Sequence, residues 1–182
     1  MPFAYYRRLS ASRKRVYRES DAIKRLDLPV GTDLGAVLAR LRDLLAANVR
    51  AGVQRAAQAI VDGLVSGYRV PPIRVRVLAC RPVKRTHELH GLYELERGRM
   101  AIVTVWMRTA ERKQVVAFKT FLRTLVHEVC HHLDYHLFRF AESFHTEGFY
   151  GRESTLAAAL LAQEAPNTLA DTSTPGHQLP LF

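Results

Sequence analysis

Cysteine is scarce in this chain, and the scarcity limits what its thiols can do. Cys80 and Cys130 are the two cysteines among 182 residues. Two thiols cannot build the disulfide framework of a small secreted domain, and these two lack the C-x-x-C spacing of a zinc knuckle. Cys130 lies within a histidine-rich stretch, but we interpret it as a buried, unreactive thiol.

Long apolar runs are also missing. No window approaches the ~18 consecutive apolar residues that a membrane helix needs, and the N-terminal segment MPFAYYRRLSASRKRVYRES holds no apolar core of signal-peptide length. We therefore expect a cytoplasmic protein with no membrane association. The length of 182 residues and the hydrophobic fraction of 48% fit one globular domain.

Acidic residues are outnumbered, and the imbalance is uneven along the chain. There are 27 Lys+Arg against 17 Asp+Glu, a net charge of +10. Residues 1–25 carry eight basic and two acidic side chains, whereas residues 124–182 carry two and seven. This asymmetry fits weak binding of nucleic acid through the basic N-terminal half. A solubilising surface with a basic tail explains the same charges.

Hydrophobic periodicity predicts an α+β fold. Leu38, Leu41 and Leu45 belong to a stripe with helical spacing, whereas Ile73 and Val75 alternate with arginines as in a half-exposed strand. Residues 92–96 and 100–107 are typical of a β-hairpin. We expect a small antiparallel or mixed sheet packed with an active-site helix and a long N-terminal helix. The predicted order is a basic arm at 1–30, a domain at 31–163 (helix 34–66, sheet 72–108, active-site helix 114–140, C-terminal helix 146–163) and a disordered tail at 164–182.

The motif that carries chemistry is H-E-x-x-H, formed by His127, Glu128 and His131. Residues four apart on a helix differ by only ~40° in direction, so both imidazoles face the same way. Two such nitrogens can bind one Zn²⁺, and the glutamate between them is placed to accept a proton from a metal-bound water. We therefore predict His127 and His131 as zinc ligands and Glu128 as the general base.

The helix around the motif separates its packing side from its ligand side. His132 and His136 fall on the apolar side, where we expect packed, hydrogen-bonded imidazoles. Asp134 lies near the ligand side and fits either a residue that orients an imidazole or a solvated helix residue. The apolar stripe consists of Phe118, Phe121, Leu122, Leu125, Val126, Val129 and Leu133.

A third ligand has to come from beyond this helix, because catalytic zinc usually has three protein ligands and an open position. The longer motif H-E-x-x-H-x-x-G-x-x-H is excluded, since Asp134 and Leu137 stand where it requires glycine and histidine. A chain reversal after the helix would bring His145 back over the metal. The residues left as candidates are His145, Glu142, Glu147 and Glu153.

His145 and Phe149 form H-x-x-x-F in the stretch HTEGF. The combination of a strand, H-E-x-x-H and, after a short gap, H-x-x-x-F resembles the SprT-like group of zinc-dependent proteases over residues 99–151. The resemblance implies a zincin-like fold, a bound Zn²⁺, peptide hydrolysis and His145 as the third ligand. Glu153 stays the alternative, because many zincins use a glutamate about 20 residues after the second histidine.

The expected reaction is hydrolysis of a protein or peptide substrate. Zn²⁺ would lower the pKa of its water to about 7, and Glu128 would pass the proton to the leaving amine. A substrate strand would add to an exposed sheet edge, for which 100–107 is the candidate, and Tyr135 and Tyr150 are candidates for stabilising the oxyanion. The alternative is a zincin-like nucleic-acid-binding or structural zinc module with little or no hydrolysis.

Overall fold

The elements below come from a computed structural model, which describes residues 3–82 and 90–164. The tail predicted over 164–182 lies, apart from Glu164, outside the described residues. An α+β architecture is confirmed in this part of the chain. After a 3₁₀ turn at Ala4–Arg8, the elements are α1 (Ala11–Ala22), α2 (Gly35–Ala46), α3 (Arg50–Gly67), β1 (Ile73–Cys80), β2 (Gly91–Glu94), β3 (Ala101–Arg108), α4 (Phe118–His136) and α5 (Glu147–Glu164).

The three strands form one mixed sheet with β3 in the middle. β1 pairs with β3 in parallel, with Val75 opposite Val103, and β2 pairs with β3 antiparallel, with Leu92 opposite Thr104. The predicted hairpin is therefore confirmed. The expectation that 100–107 offers a free edge is wrong, because β3 has a partner on each side. Among the described residues, β1 and β2 are therefore the outer strands of this sheet.

The predicted long helix 34–66 is wrong in one respect, because the structure has two helices there. Asn48 adopts φ 57° between α2 and α3. The Asn48 amide donates to the Leu45 carbonyl and the Val49 amide donates to the Leu44 carbonyl. These two bonds are the Schellman arrangement that ends a helix at a left-handed residue, and asparagine tolerates that conformation better than most residues. α3 then folds back against α2.

The helices enclose one main hydrophobic core against the sheet. α4 packs on β2 and β3, α3 lies beside β1, and α5 packs on α4 and α2. Fully buried side chains from every layer meet there, among them Leu38, Ile60, Val103, Leu125 and Leu156. None of the described helices is both long enough and apolar enough to cross a bilayer.

The segment predicted as a basic arm contains α1, and the C-terminal end of α1 packs on α5. Glycines of α5 allow the two backbones to come this close. A Cβ at Gly148 would overlap the Ser20 carbonyl oxygen, and a Cβ at Gly151 would overlap the Lys24 carbonyl oxygen. The N-terminal segment is thus joined backbone to backbone with the helix that follows the predicted third zinc ligand.

Candidate metal centre

Helix α4 presents the motif because its two sides differ. The apolar stripe predicted from the sequence is confirmed, with Leu125, Val126 and Val129 in the buried core. His127 and His131 lie on the other side and are only half-buried. The helix is shorter than the predicted 114–140, because Val115 forms a β-bridge with Arg108 and Arg139 adopts φ 59°. Packing by one side fixes the direction in which the two imidazoles point.

Three imidazole nitrogens converge at one point above α4. The Nε2 atom of His145, from the segment between α4 and α5, lies 3.0 Å from Nε2 of His127 and 3.1 Å from Nε2 of His131. Ligands at the usual distances around a tetrahedral zinc lie about 3.3–3.4 Å apart, so these two separations are close to those that a bound ion requires, and all three ligand atoms lie within 4.8 Å of one another. Within the described residues, these three histidines are the group close enough to hold a metal.

Glu153 contacts the opposite nitrogen of His127. Its Oε2 lies 2.9 Å from His127 Nδ1, and its Oε1 accepts hydrogen bonds from Arg123. A carboxylate at this position holds the proton on Nδ1 and leaves the Nε2 lone pair for a metal. Burial raises the pKa of Glu153, but the hydrogen bonds and charges of His127 and Arg123 outweigh burial and lower it overall. The geometry therefore makes Glu153 a hydrogen-bond partner of His127, outside the three-histidine group.

His131 is oriented through Ser143. Its Nδ1 lies 2.7 Å from Ser143 Oγ, and that hydroxyl donates to Asp134 Oδ2 at 2.7 Å. Since the one Ser143 proton goes to Asp134, His131 Nδ1 must donate to the hydroxyl oxygen, and Nε2 again carries the lone pair. Asp134 is fully buried, so of the two interpretations the orienting one is correct and the solvated one is wrong. Sequence reasoning missed Ser143, because nothing in its spacing distinguishes it.

The environment keeps the imidazoles of His131 and His145 neutral, and neutral imidazole is the form that binds metals. Burial, with the neighbouring His127 and His145, lowers the pKa of His131 to about 3. Burial, with His127, also lowers the pKa of His145. Phe149 contributes to this burial, because its fully buried ring lies with its centroid 4.7 to 5.2 Å from the three imidazole centroids.

Glu128 lies in the cleft close to, but outside, the three-histidine group. The pKa of its carboxyl is raised to about 7, and burial is the largest cause. The neighbouring His127 lowers this pKa and Glu153 raises it, each by less than burial does. The carboxylate lies against β2, because a Cβ at Gly91 would overlap it. A carboxyl group with a pKa near neutrality suits proton transfer in both directions.

The other histidines of the stretch have different surroundings. His132 is buried, as predicted, and lies 3.0 Å from the Tyr93 hydroxyl by Nδ1 and 2.9 Å from the Pro71 carbonyl by Nε2. His136 packs against His132 with the two rings tilted, but its Nε2 has no hydrogen-bond partner in the described chain, so the expectation for it holds in part.

The remaining ligand candidates lie elsewhere. Cys130 belongs to the hydrophobic core, and burial raises the pKa of its thiol. Glu142 pairs with Arg13, and Glu147 is exposed at the start of α5. Neither glutamate belongs to the group that could hold a metal.

An open cleft of about 780 Å³ runs along the histidines. Tyr135, a candidate for the oxyanion, lines it and stacks on Tyr93. Tyr150, the other candidate, stacks on His145 with 40% of its surface exposed. The cleft wall opposite α4 is strand β2, which contributes Gly91, Leu92 and Tyr93.

Comparisons of the chain with protein-family models, with curated proteins and with solved structures give no match. The assignment of a function therefore depends on the residues and geometry of the site.

Proposed function

We propose that this protein is a zinc-dependent metallopeptidase with a zincin-like fold. The observation that carries the proposal is the convergence of three Nε2 atoms, at 3.0 and 3.1 Å, beside the buried carboxyl of Glu128. A site that served only to stabilise the fold would have no use for such a carboxyl, and structural zinc is usually enclosed by four protein ligands.

His127, His131 and His145 would hold the metal. Zinc bound there would supply a Lewis acid and a water with a pKa of about 7. Glu128 takes a proton from the attacking water at its carboxylate and delivers it to the amine that leaves when the peptide bond breaks. Glu153 and Ser143 hold the protons on the Nδ1 atoms of His127 and His131, which keeps both rings in the tautomer that binds metal.

The proposed substrate is a peptide in extended conformation that pairs with the edge of β2. This strand lines the cleft, and within residues 3–82 and 90–164 no hydrogen bond to its backbone other than its pairing with β3 is found. Backbone pairing supplies affinity that does not depend on side-chain identity, so we expect broad selectivity for unfolded segments. The resemblance to SprT-like proteases, through His127, Glu128, His131, His145 and Phe149, supports the same conclusion.

The experiment that tests the proposal measures metal and hydrolysis together. Purified protein should contain about one zinc per chain and should cleave an unfolded protein such as casein. Glu128→Gln should keep the zinc and lose about 10²- to 10⁴-fold in rate, the usual contribution of a general base. Protein that takes up no zinc after chelation and zinc addition, or a variant that cleaves like the parent, would contradict it.

A second candidate function is weak nucleic-acid binding, and the observation that favours it is an exposed aromatic and basic surface near the N-terminus. Phe3 and Tyr5 each have 37% of their surface exposed and stack at 6.1 Å near the N-terminus. Aromatic rings beside cations suit the stacking of unpaired bases. The exposed arginines of residues 3–22 are Arg7, Arg8, Arg13, Arg15 and Arg18. Affinity for single-stranded DNA should fall steeply from low to physiological salt, and no detectable binding at low salt would remove this candidate.

A further inference from the structure

Arg152 of α5 is a buried cation that the proposed mechanism does not use. Only 1% of its surface is exposed. Its four terminal N–H groups all donate: Nη1 to the carbonyl oxygens of Ser20 and Ile23 at 2.7 and 2.6 Å, and Nη2 to Ser20 Oγ and Asp134 Oδ1 at 3.0 and 2.8 Å. The guanidinium also lies against the Phe138, Phe140 and Phe149 rings.

These contacts form a continuous path to a metal ligand. Arg152 holds one oxygen of the Asp134 carboxylate, and the other oxygen accepts from Ser143, whose hydroxyl contacts His131 Nδ1. Every link is 2.7 or 2.8 Å long. A planar guanidinium fixes the plane of the carboxylate that it binds, and a fixed carboxylate fixes the direction of the hydroxyl proton.

The other end of the path is helix α1. Ser20 and Ile23 lie at its C-terminal end, where the negative end of the helix dipole attracts a cation. Arg152 therefore satisfies carbonyl groups of the N-terminal segment and the carboxylate below the metal centre with the same guanidinium. Gly148 secures the approach, since its amide donates to Asp21 Oδ1 at 3.0 Å.

We propose that Arg152 is a positioning residue for the metal ligand His131, acting through Asp134 and Ser143, and that α1 is part of the metal centre because it holds Arg152 in place. This inference depends on the proposed function, since it requires that the three histidines bind a metal. It assigns a role in metal affinity to a segment far from the motif in sequence.

The first test compares two full-length variants of α5. Arg152→Met should weaken zinc affinity ~10- to 100-fold, the usual scale for residues that orient a ligand, and should change the visible spectrum of the Co²⁺-loaded protein, which reports ligand geometry. Leu160→Ala is the matched control, because Leu160 is a fully buried α5 residue in the core away from the cleft. It should lower stability but keep zinc affinity and spectrum within about twofold of the parent.

The second test does not require Arg152→Met to fold. In Asp134→Asn, Arg152 donates to the amide oxygen, so the amide NH₂ faces Ser143 and donates to it. The Ser143 proton then turns to His131 Nδ1, which places the imidazole proton on Nε2, the atom that must bind the metal. Asp134→Asn should therefore bind zinc more weakly than Ser143→Ala, although it removes no heavy atom. Where Arg152→Met does fold, the deficit should also shrink in that background, because the amide is then free to rotate.

The third test addresses α1. Gly148→Ala places a Cβ against the Ser20 carbonyl and should weaken zinc affinity through displacement of α1. Arg152→Lys should restore part of the affinity lost in Arg152→Met, since an ammonium reaches Asp134 but cannot also bind both carbonyls.

The outcomes separate this inference from the proposed function. A parent that binds no zinc would overturn both. A parent that binds zinc, with Arg152→Met equal to it or no weaker than Leu160→Ala, would overturn the inference alone. If Arg152→Met does not fold, Asp134→Asn binding zinc as well as Ser143→Ala would overturn it. Gly148→Ala with unchanged zinc affinity would overturn the role of α1.

Discussion

The two edges of the sheet differ in what satisfies their backbone groups. Along β1, two glutamines of α3 take the place of a neighbouring strand. Gln54 donates to the Val75 carbonyl and accepts from the Val77 amide, both at 2.7 Å. Gln58 donates to the Ile73 carbonyl at 2.8 Å and accepts from the Val75 amide at 2.7 Å. This edge is closed, and it cannot accept a further strand.

Along β2, by contrast, the edge faces the cleft that holds the three histidines and Glu128. Unprotected edges invite pairing with other chains, and proteins usually block them. In the described part of the chain, side-chain amides cover the β1 edge, whereas the β2 edge lies beside the candidate metal centre. We therefore assign stability to the first edge and propose binding for the second.

The largest expected effect is on zinc affinity, and it distinguishes the proposed ligand His145 from Glu153, the proposed partner of a ligand. His145→Ala should lower zinc affinity by more than ~100-fold, because it removes a donor atom. Glu153→Ala should lower it by ~10- to 100-fold, because His127 keeps its Nε2 lone pair but loses its orientation. Competition with a chelator measures both. If Glu153→Ala loses zinc and His145→Ala keeps it, the site is completed by the glutamate.

A pH dependence should come from the carboxyl group beside β2. In metal-free protein the pKa of Glu128 is about 7, against 4.5 for an exposed glutamate. The folded state then binds the proton more tightly, so this group's contribution is present at low pH and is lost as pH rises from about 4.5 to 7, by about 3 kcal/mol. Glu128→Gln should remove this loss of stability at high pH. His131 makes the opposite contribution to the free energy of unfolding, but it makes it in both proteins, so it cancels when the variant is compared with the parent.

Urea unfolding with a chelator present, at pH 5 and at pH 8, measures this difference. The stability of Glu128→Gln relative to the parent should increase between the two values. If the relative stability is the same at pH 5 and at pH 8, Glu128 is solvated in the metal-free protein.

Removing a glutamine that covers the β1 edge should lower the stability of the protein and leave its zinc affinity unchanged. Gln54→Leu leaves the Val75 carbonyl and the Val77 amide without partners, which should lower the free energy of unfolding by about 1–3 kcal/mol. Arg55→Ala, an exposed neighbour on α3, is the control and should change little. Zinc affinity should equal that of the parent in both variants. A loss of zinc in Gln54→Leu would mean that the two edges are not independent.

The smallest effect concerns substrate pairing with β2. Peptides methylated at one backbone nitrogen at a time should lose about 1 kcal/mol, roughly fivefold in kcat/KM, at every second position. The alternation arises because a strand bonds to one neighbour through alternate residues. A flat profile across the positions would show that β2 does not pair with the substrate.

The sequence predicted the parts of the structure that depend on local spacing. His127 and His131 share a helix side by periodicity alone, and the hairpin of β2 and β3 joins neighbours in sequence. The pairing of β1 with β3 joins strands that are not neighbours in sequence, and the residue pattern of neither strand indicates which strand is its partner. One available indication was missed, since Ala101–Met107 is apolar on both sides apart from Thr104, which is typical of a covered central strand.

Other features escaped prediction for different reasons. Asn48 was a visible sign of a helix end, but the regular leucine and valine stripe on both sides of it favoured one long helix. Ser143, Gln54 and Arg152 each act through contacts with segments distant in sequence, and their side chains are also common on exposed surfaces. Such roles become evident only when the backbone has placed their partners.

The contact between Arg152 and Ser20 spans 132 residues, and this separation has a consequence for the chain during synthesis. At about 5–20 residues per second, roughly 7 to 26 s pass between the translation of these two positions. During that interval the end of α1 has no guanidinium to bind, and the third histidine has not been made for much of it. Under the proposed function, a nascent chain would therefore acquire a fully oriented metal centre only after α5 has emerged from the ribosome.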